Sequence, residues 1–255
     1  MRKLNYELDK TWINLGYKSG MASGKLIPPP GVEFRRVYHF LSADHAIASI
    51  ALRRLKVSRA AEMNDPYELL PFHNKGEMRA VLQAVKEFID ANFRFLCFSA
   101  DWGSPVMWAH YASRHRGICL GFDILRVDER RVNYREDRTA QQVPSADTDQ
   151  ATRDQFVNDV ITTKCDHWRY EEEIREMVPI AKTIGEGNLH FLNFGNTLRL
   201  AEVILGLECS TSIETVRAFV HEKHPDAYVF GTRQAEKWFR IVPHEETAPW
   251  LPNVP

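Results

Sequence analysis

Strand-like and helix-like segments follow one another irregularly along this chain of 255 residues, without any internal repeat. Residues 34–40 and 93–99 have the apolar patterns of strands, whereas residues 75–91 place apolar side chains at helical spacing. Such a mixture excludes a regular β-α alternation. It predicts an α+β fold in one mixed domain, residues 32–255, with a central, largely antiparallel sheet flanked by helices. Residues 1–31, which finish in three consecutive prolines and a glycine, are predicted to form an N-terminal arm.

Helix-capping residues and local sequence patterns predict the remaining helices, strands and loops. Ser42, Ser104 with Pro105, and a capping box from Thr211 to Glu214 are predicted to open helices. A further helix is predicted over residues 152–170, and residues 135–150 are predicted to form a surface loop. The other predicted strands are residues 55–58, 117–124, 131–134, 173–180, 227–231 and 238–242, and residues 198–207 form a further apolar stretch.

Charge and cysteine content exclude several classes of protein. Lys and Arg number 33 against 34 Asp and Glu, which argues against a broad basic surface for nucleic acid. The local cluster of Arg53, Arg54, Lys56 and Arg59 is expected to be a solvated helix end. The four cysteines form no Cys-x-x-Cys pair, so no zinc site or redox dithiol is indicated. No signal core or membrane span is apparent, and we expect a cytoplasmic protein without a membrane partner.

Five short motifs occur in a specific order along the chain. They are Val37-Tyr38-His39-Phe40, Met63-Asn64-Asp65-Pro66-Tyr67-Glu68, Cys97-Phe98-Ser99, Met107-Trp108-Ala109-His110-Tyr111-Ala112 followed by His115-Arg116-Gly117, and Trp168-Arg169-Tyr170-Glu171-Glu172-Glu173-Ile174-Arg175. Together they resemble a bacterial domain-of-unknown-function family, the one numbered 2971. The resemblance runs over residues 38–209.

Members of this family are in turn distantly similar to ADP-ribosyltransferases, which consume NAD as a substrate. That similarity implies that His39 holds the NAD ribose, that Tyr111 or Ser99 lines the nicotinamide pocket, and that Glu173 is catalytic. Trp108 and His110, beside Tyr111, are further candidates for cofactor contact, and no metal is implied. The chain lacks the Ser-Thr-Ser strand of the best-defined transferases, so the choice between Ser99 and Tyr111 stays open.

The chemistry of NAD cleavage gives a reason, independent of the resemblance, to expect a catalytic role for Glu173. Cleavage of the nicotinamide–ribose bond passes through an oxocarbenium-like state, which a nearby carboxylate stabilises. A second carboxylate can accept the proton of the incoming nucleophile. On a strand, Glu171, Glu173 and Arg175 share one face, so both carboxylates are predicted to point into a common cleft. The competing interpretation is a solvated strand face with a Glu–Arg pair of little energetic value.

Structural interpretations also compete at the other motifs. His39 on its strand is typical of a core or rim histidine, and Met107 with Trp108 is typical of a core helix face. Helical spacing places Met107, His110, Tyr111 and Arg114 together, which gives His110 and Tyr111 access to a ligand. The Asn64-Asp65-Pro66 turn is predicted to bond its own backbone. A nuclease metal cluster of Asp65, Glu171 and Glu173 is a minor alternative.

The resemblance therefore implies an NAD-dependent ADP-ribosyltransferase with a protein or nucleic-acid acceptor, and by extension a toxin or phage-defence effector. An NAD glycohydrolase is the nearest variant. The alternative from another class is a non-catalytic protein-interaction module of the same fold, in which the aromatic arm mediates homodimerisation. A nucleic-acid-binding protein is the third possibility.

Overall fold

The computed structural model describes residues 33–126, 129–145 and 147–248. Within them the predicted α+β class and mostly antiparallel strand pairing are confirmed. The described residues form two compact units. The first unit contains residues 33–51, 102–126 and 197–248, and the second contains residues 52–101, 129–145 and 147–196. The predicted arm lies outside the described residues.

The strands, in chain order, are β1 (Phe34–Leu41), β2 (Arg54–Val57), β3 (Phe93–Ser99), β4 (Ile118–Leu125), β5 (Arg130–Arg131), β6 (Asn133–Arg135), β7 (Thr163–Cys165), β8 (Glu173–Pro179), β9 (Ile184–Glu186), β10 (Leu189–Asn193), β11 (Leu198–Leu205), β12 (Tyr228–Gln234) and β13 (Ile241–Pro243). The α-helices are α1 (Ala43–Leu52), α2 (Gly76–Asn92), α3 (Pro105–Tyr111), α4 (Gln150–Thr162) and α5 (Ile213–Lys223).

Five strands of the first unit lie side by side in the order β13-β12-β11-β4-β1. Every pair is antiparallel except β11 with β12, and helix α5 provides the crossover that a parallel pair requires. A β-bulge interrupts the pairing of β11 with β4 between Leu200 and Glu202. The bulge shifts the register in which β11 pairs with β4, and Glu202 is the first residue paired in the new register.

The core of the first unit packs helices against this sheet. Trp108 of α3 is fully buried, donates its indole N–H to the Trp102 carbonyl at 2.7 Å and meets the Phe40 ring edge-on. The core position expected for Trp108 is therefore confirmed. Helix α3 begins as predicted, because Ser104 accepts from the Met107 N–H and Pro105 occupies the first turn.

The second unit contains three smaller groups of strands, in the orders β3-β8-β5, β2-β10-β9 and β6-β7. Helices α2 and α4 cover a core that includes Leu82, Phe95, Phe156 and Val160. The predicted apolar stripe of α2 is buried in part. Its outlier is Phe88, whose side chain is exposed.

The structure differs from the predicted elements in three places. The helix predicted over residues 152–170 ends at Thr162, and strand β7 and a 3₁₀ helix (Asp166–Glu171) replace its second half. β-Branched Thr162 and Thr163 favour the extended backbone that stops the helix. Strands β9 and β10 were not predicted. The last strand begins at Ile241 rather than residue 238.

Smaller differences occur at helix ends. Ser212, not Thr211, caps α5 by accepting from the Thr215 N–H. Across the described ranges, none of the helices combines the length and the apolar character that crossing a bilayer requires.

Candidate functional site

Five charged side chains meet in the interior of the second unit, and we call them the carboxylate cluster. Its members are Glu68, Lys164, Glu171, Glu173 and Arg175. None of the five residues is more than 6% exposed. Burying charge is costly unless each charge is paired and hydrogen-bonded, so this concentration requires an explanation.

Local structure brings the two predicted catalytic glutamates together. Glu173 is the first residue of β8, whereas Glu171 is the last residue of the preceding 3₁₀ helix. Between them Glu172 adopts a left-handed conformation, with φ 42° and ψ 49°, which is unusual for a residue with a side chain. The carboxylates therefore converge as predicted, but by a turn in the backbone rather than by the alternation of a strand.

Arg175 connects the two sides of the cluster. Its Nε donates to Glu173 Oε1 at 2.7 Å and its Nη2 to Glu173 Oε2 at 3.1 Å. Its Nη1 and Nη2 donate to the two carboxylate oxygens of Glu68 at 2.6 and 2.9 Å. A further bond from Nη1 reaches the Ile161 carbonyl at 2.6 Å. All five guanidinium N–H groups are thus used, which fixes Arg175 in place.

Lys164 of β7 joins the two catalytic candidates. Its ammonium group donates to Glu173 Oε2 at 3.0 Å and to Glu171 Oε2, and lies 4.9 Å from the centre of the Trp168 ring. A single flexible side chain therefore holds Glu171 and Glu173 side by side.

The surrounding charges keep Glu173 ionised. Burial raises the pKa of its carboxyl, but the adjacent Arg175 guanidinium and the Lys164 ammonium lower it further, to about 2. Burial also lowers the pKa of Lys164, while Glu173 and Glu171 raise it by more, so this pKa lies above its ordinary value. Near neutral pH the pair is therefore a carboxylate and an ammonium ion.

Two neutral groups complete the surroundings of Glu173. The Tyr134 hydroxyl accepts the Glu173 backbone N–H at 2.8 Å, and burial raises the pKa of this phenol. Cys97 stands opposite Arg175 in the pairing of β3 with β8, and burial together with the Glu173 charge raises the pKa of its thiol. The cluster contains three acidic residues and two basic ones, so its composition favours a positive charge nearby.

Ser99 is opposite Glu173 in the same strand pairing, but its hydroxyl is used locally. The Ser99 Oγ donates to the Asp101 carbonyl at 2.8 Å and accepts the Asp101 N–H at 3.1 Å, and the residue is 1% exposed. Ser99 therefore shapes the turn that follows β3.

The other predicted cofactor contacts belong to the first unit. His39 is half-buried on β1, opposite Leu120. At the end of α3, exposed His110 stacks edge-on against half-buried Tyr111, with ring centres 6.2 Å apart. Trp108 is fully buried, so its ring surface is occupied by core packing.

The helical spacing predicted for Arg114 is wrong. Helix α3 ends at Tyr111, and Ser113, Arg114 and His115 all have positive φ, between 49° and 68°. Three successive left-handed residues with side chains store backbone strain. Hydrogen bonds from the His115 N–H to the Trp108 carbonyl and from the Glu208 N–H to the His115 carbonyl hold the turn.

A second buried group of charges, in the first unit, was not predicted from the sequence. Arg36 donates from Nε to Asp123 at 2.6 Å and from Nη1 to Glu202. These residues come from three neighbouring strands, β1, β4 and β11, and the bulge before Glu202 brings that side chain to Arg36. Its only sequence signal was a charged residue, Arg36, within the apolar pattern of residues 34–40.

Two members of the carboxylate cluster, Glu68 and Lys164, were also missed. The Asn64-Asp65-Pro66 turn forms as predicted, since Asp65 Oδ1 accepts the Tyr67 N–H at 2.9 Å. This turn precedes Glu68 and directs its side chain inward. The turn was the only sequence feature that pointed to Glu68. Lys164 lay inside the stretch predicted as helix.

Two other expectations concern metal and basic residues. In the described part of the chain no group of three or more His, Cys, Asp or Glu is arranged to hold a metal ion. Of the basic residues around β2, Arg54 and Lys56 lie on the strand, whereas Arg53 directly follows the end of α1 as predicted. Arg54 pairs with Glu186, Lys56 with Glu62 and Arg59 with Asp90.

Comparison with known proteins gives one match. Residues 107–176 match the model of a family described as protein of unknown function (DUF2971). This segment includes α3 from Met107 onward and every member of the carboxylate cluster except Glu68. No curated protein and no solved structure matches the chain.

Proposed function

We propose that this chain, which belongs to the DUF2971 family, is an NAD-consuming enzyme that transfers ADP-ribose, with Glu173 as its catalytic carboxylate. One observation carries the proposal. Two buried carboxylates, Glu171 and Glu173, converge on one lysine, and the surrounding cations keep Glu173 ionised. The likeness of this family to ADP-ribosyltransferases supports the same assignment.

The two carboxylates have different catalytic roles in this proposal. When the bond between the ribose C1′ and the nicotinamide nitrogen breaks, nicotinamide leaves with the electron pair and positive charge develops on the ribose. Ionised Glu173 stabilises that charge. The acceptor nucleophile then bonds to C1′, and Glu171 takes the proton that it loses.

Lys164 is the side chain that must move away from Glu173 before this chemistry can occur. Both oxygens of Glu173 are engaged: Oε1 accepts from Arg175, and Oε2 accepts from Arg175 and Lys164. Arg175 is fixed by its five bonds, whereas Lys164 is held by two carboxylates and a ring contact. We infer that NAD binding moves Lys164 aside and exposes one oxygen of Glu173.

Roles in NAD binding are proposed for residues of the first unit on the family likeness. The likeness assigns His39 to the ribose and Tyr111, with His110 beside it, to nicotinamide, and both assignments stay predictions. Tyr111 is favoured over Ser99 because the Ser99 hydroxyl is bonded to Asp101. Trp108 supports the helix that carries Tyr111 from within the core.

The proposal is tested by incubating the purified chain with NAD and quantifying free nicotinamide by chromatography. We expect release by the wild type and a loss of about a hundredfold or more in Glu173→Gln, as when other charge-stabilising groups are removed. Glu68→Gln is the matched control, because Glu68 is equally buried and also bonds Arg175. The control is expected to keep most of the activity at a temperature where both variants remain folded.

Two results would reject the assignment: wild-type protein that releases no nicotinamide, or Glu173→Gln and Glu68→Gln losing activity equally. The second result would make the cluster structural. Labelled NAD then separates transfer from hydrolysis, since a transferase leaves the label on a protein or nucleic acid and a glycohydrolase releases free ADP-ribose. A toxin or phage-defence role in the cytoplasm is the biological setting we propose.

A non-catalytic interaction module is the second candidate, and one observation favours it. The Glu173 carboxylate is 5% exposed and is saturated by internal partners, as in a cluster that serves the fold alone. In that case NAD causes no thermal shift and Glu173→Gln changes stability without changing partner binding or self-association.

A further inference from the structure

A groove runs along helix α2 on the second unit, and no member of the carboxylate cluster is among its lining residues. Its volume is about 520 Å³, within the range of small-molecule sites. One side is formed by Gly76, Arg79, Gln83 and Lys86 of the helix, and the other includes Asn74 of the preceding loop. The groove is assembled entirely within one unit.

The charged lining of the groove is basic. Arg79 is exposed and makes no ion pair or hydrogen bond with any residue that the structure describes. The Lys86 ammonium donates to the Glu68 backbone carbonyl at 3.3 Å, so its charge is not neutralised by that contact. None of the described residues that line the groove is a carboxylate, and Glu87, four residues from Gln83, accepts the Gln83 amide at 2.7 Å.

The lining also offers an acceptor. The Asn74 side-chain oxygen is buried and has no hydrogen-bond partner among the described residues. A buried acceptor without a partner costs free energy, which a ligand N–H or O–H would recover. Space at the mouth is open, because a Cβ added to Gly76 would meet no atom within 4 Å.

We propose that this groove binds a small phosphorylated molecule that also carries a hydroxyl or amino group. Its phosphate lies against Arg79 and Lys86, whose side chains emerge from the same face of α2 seven residues apart, and its donor meets Asn74. The assignment goes beyond NAD cleavage and does not rest on it, since no catalytic candidate lines the groove.

The test uses the full chain with two probes, inorganic pyrophosphate and ADP, in calorimetric titrations at low salt. Both probes are expected to bind. Arg79→Ala is expected to weaken the affinity for both by about tenfold or more, because a charge-assisted hydrogen bond is lost. Asn74→Leu is expected to weaken the binding of ADP but not of pyrophosphate, because only ADP carries hydroxyl and amino hydrogen-bond donors.

Arg153→Ala is the matched control, since Arg153 is an exposed arginine of α4 that does not line the groove. It is expected to leave both affinities unchanged. Absence of saturable binding, or equal weakening by Arg79→Ala and Arg153→Ala, would overturn the proposal. Nicotinamide release measured on Arg79→Ala is expected to equal that of the wild type, so this test and the test of catalysis fail independently.

Discussion

At the scale of single residues, Arg175 and Lys164 play different parts in the same cluster. Arg175 binds Glu68 and Glu173 through a planar group whose bonds fix its orientation. Lys164 is a point charge on a flexible chain between Glu171 and Glu173. Because removing one partner leaves the other charges buried and unpaired, each cation stabilises the fold only together with its carboxylates.

Replacing Lys164 by Met tests this dependence. Lys164→Met leaves Glu171 and Glu173 adjacent without the cation they share, and we expect it to lower the free energy of unfolding by about 3 to 5 kcal/mol. Urea denaturation followed by circular dichroism measures the change. Lys182→Met removes the same charge from an exposed site and is expected to stay within about 0.5 kcal/mol of wild type. Similar small effects of both substitutions would show that Lys164 is not essential to the cluster.

Residue-scale prediction from the sequence succeeded where partners are close along the chain. Glu171, Glu173 and Arg175 follow one another at intervals of two residues, so their proximity was predictable, although a turn at Glu172 rather than strand alternation produces it. Glu68 bonds Arg175 across 107 positions of sequence, and no local pattern encodes such a contact. Whether His39, Tyr111 and Glu173 act together stays a prediction.

At the scale of elements, the connection from α3 to β4 is constrained by close backbone contacts. The three left-handed residues of this turn are followed by Arg116 and then by Gly117, whose N–H donates to the Ala112 carbonyl at 2.8 Å. A Cβ at Gly117 would lie 2.0 Å from the Leu41 backbone oxygen. Only glycine fits there without moving β1 or the turn, which explains the glycine that ends the His-Arg-Gly motif.

Gly117→Ala is therefore expected to destabilise the chain by about 3 kcal/mol or more, because the clash involves backbone atoms that cannot rotate away. The shift in thermal and urea midpoints measures it. Gly195→Ala serves as the control, since a Cβ there meets no atom within 4 Å, and its stability is expected to be close to that of the wild type. A stable Gly117→Ala protein would mean that the turn packs differently.

Element prediction was most successful where the ends carried explicit signals. Ser104 and Pro105 marked the start of α3, and the structure agrees. The segment after Thr162 lacked such a mark, and its course is set by β7 pairing with β6 and by Lys164 turning inward. Strands β9 and β10 are short and largely exposed, so they lack the apolar pattern by which strands are recognised.

At the scale of the whole molecule, charge is nearly balanced, yet it is not evenly distributed. The chain has a formal charge of -1, while two groups of buried charges each contain one more acidic residue than basic residues. Composition gave the overall balance and the α+β class correctly, because both depend on sums and periodicities. The position of the buried charges depends on the topology, which composition does not determine.

Burial of ionised Glu173 couples the fold to pH. Its folded-state pKa of about 2 lies below the ordinary value of 4.5, so its ionisation stabilises the folded chain at pH values above about 4.5. That contribution is lost as the pH falls from about 4.5 toward 2. The same ionised state is the one that the proposed chemistry requires.

The most direct measurement is the titration of the Glu173 carboxyl carbon by NMR, with ¹³C-labelled glutamate and assignment from the Glu173→Gln variant. We predict that its chemical shift stays at the ionised value from neutral pH to below about pH 4, as long as the chain is folded. A midpoint at or above the ordinary 4.5 in the folded chain would contradict the account, since the cations around Glu173 would then not hold it ionised.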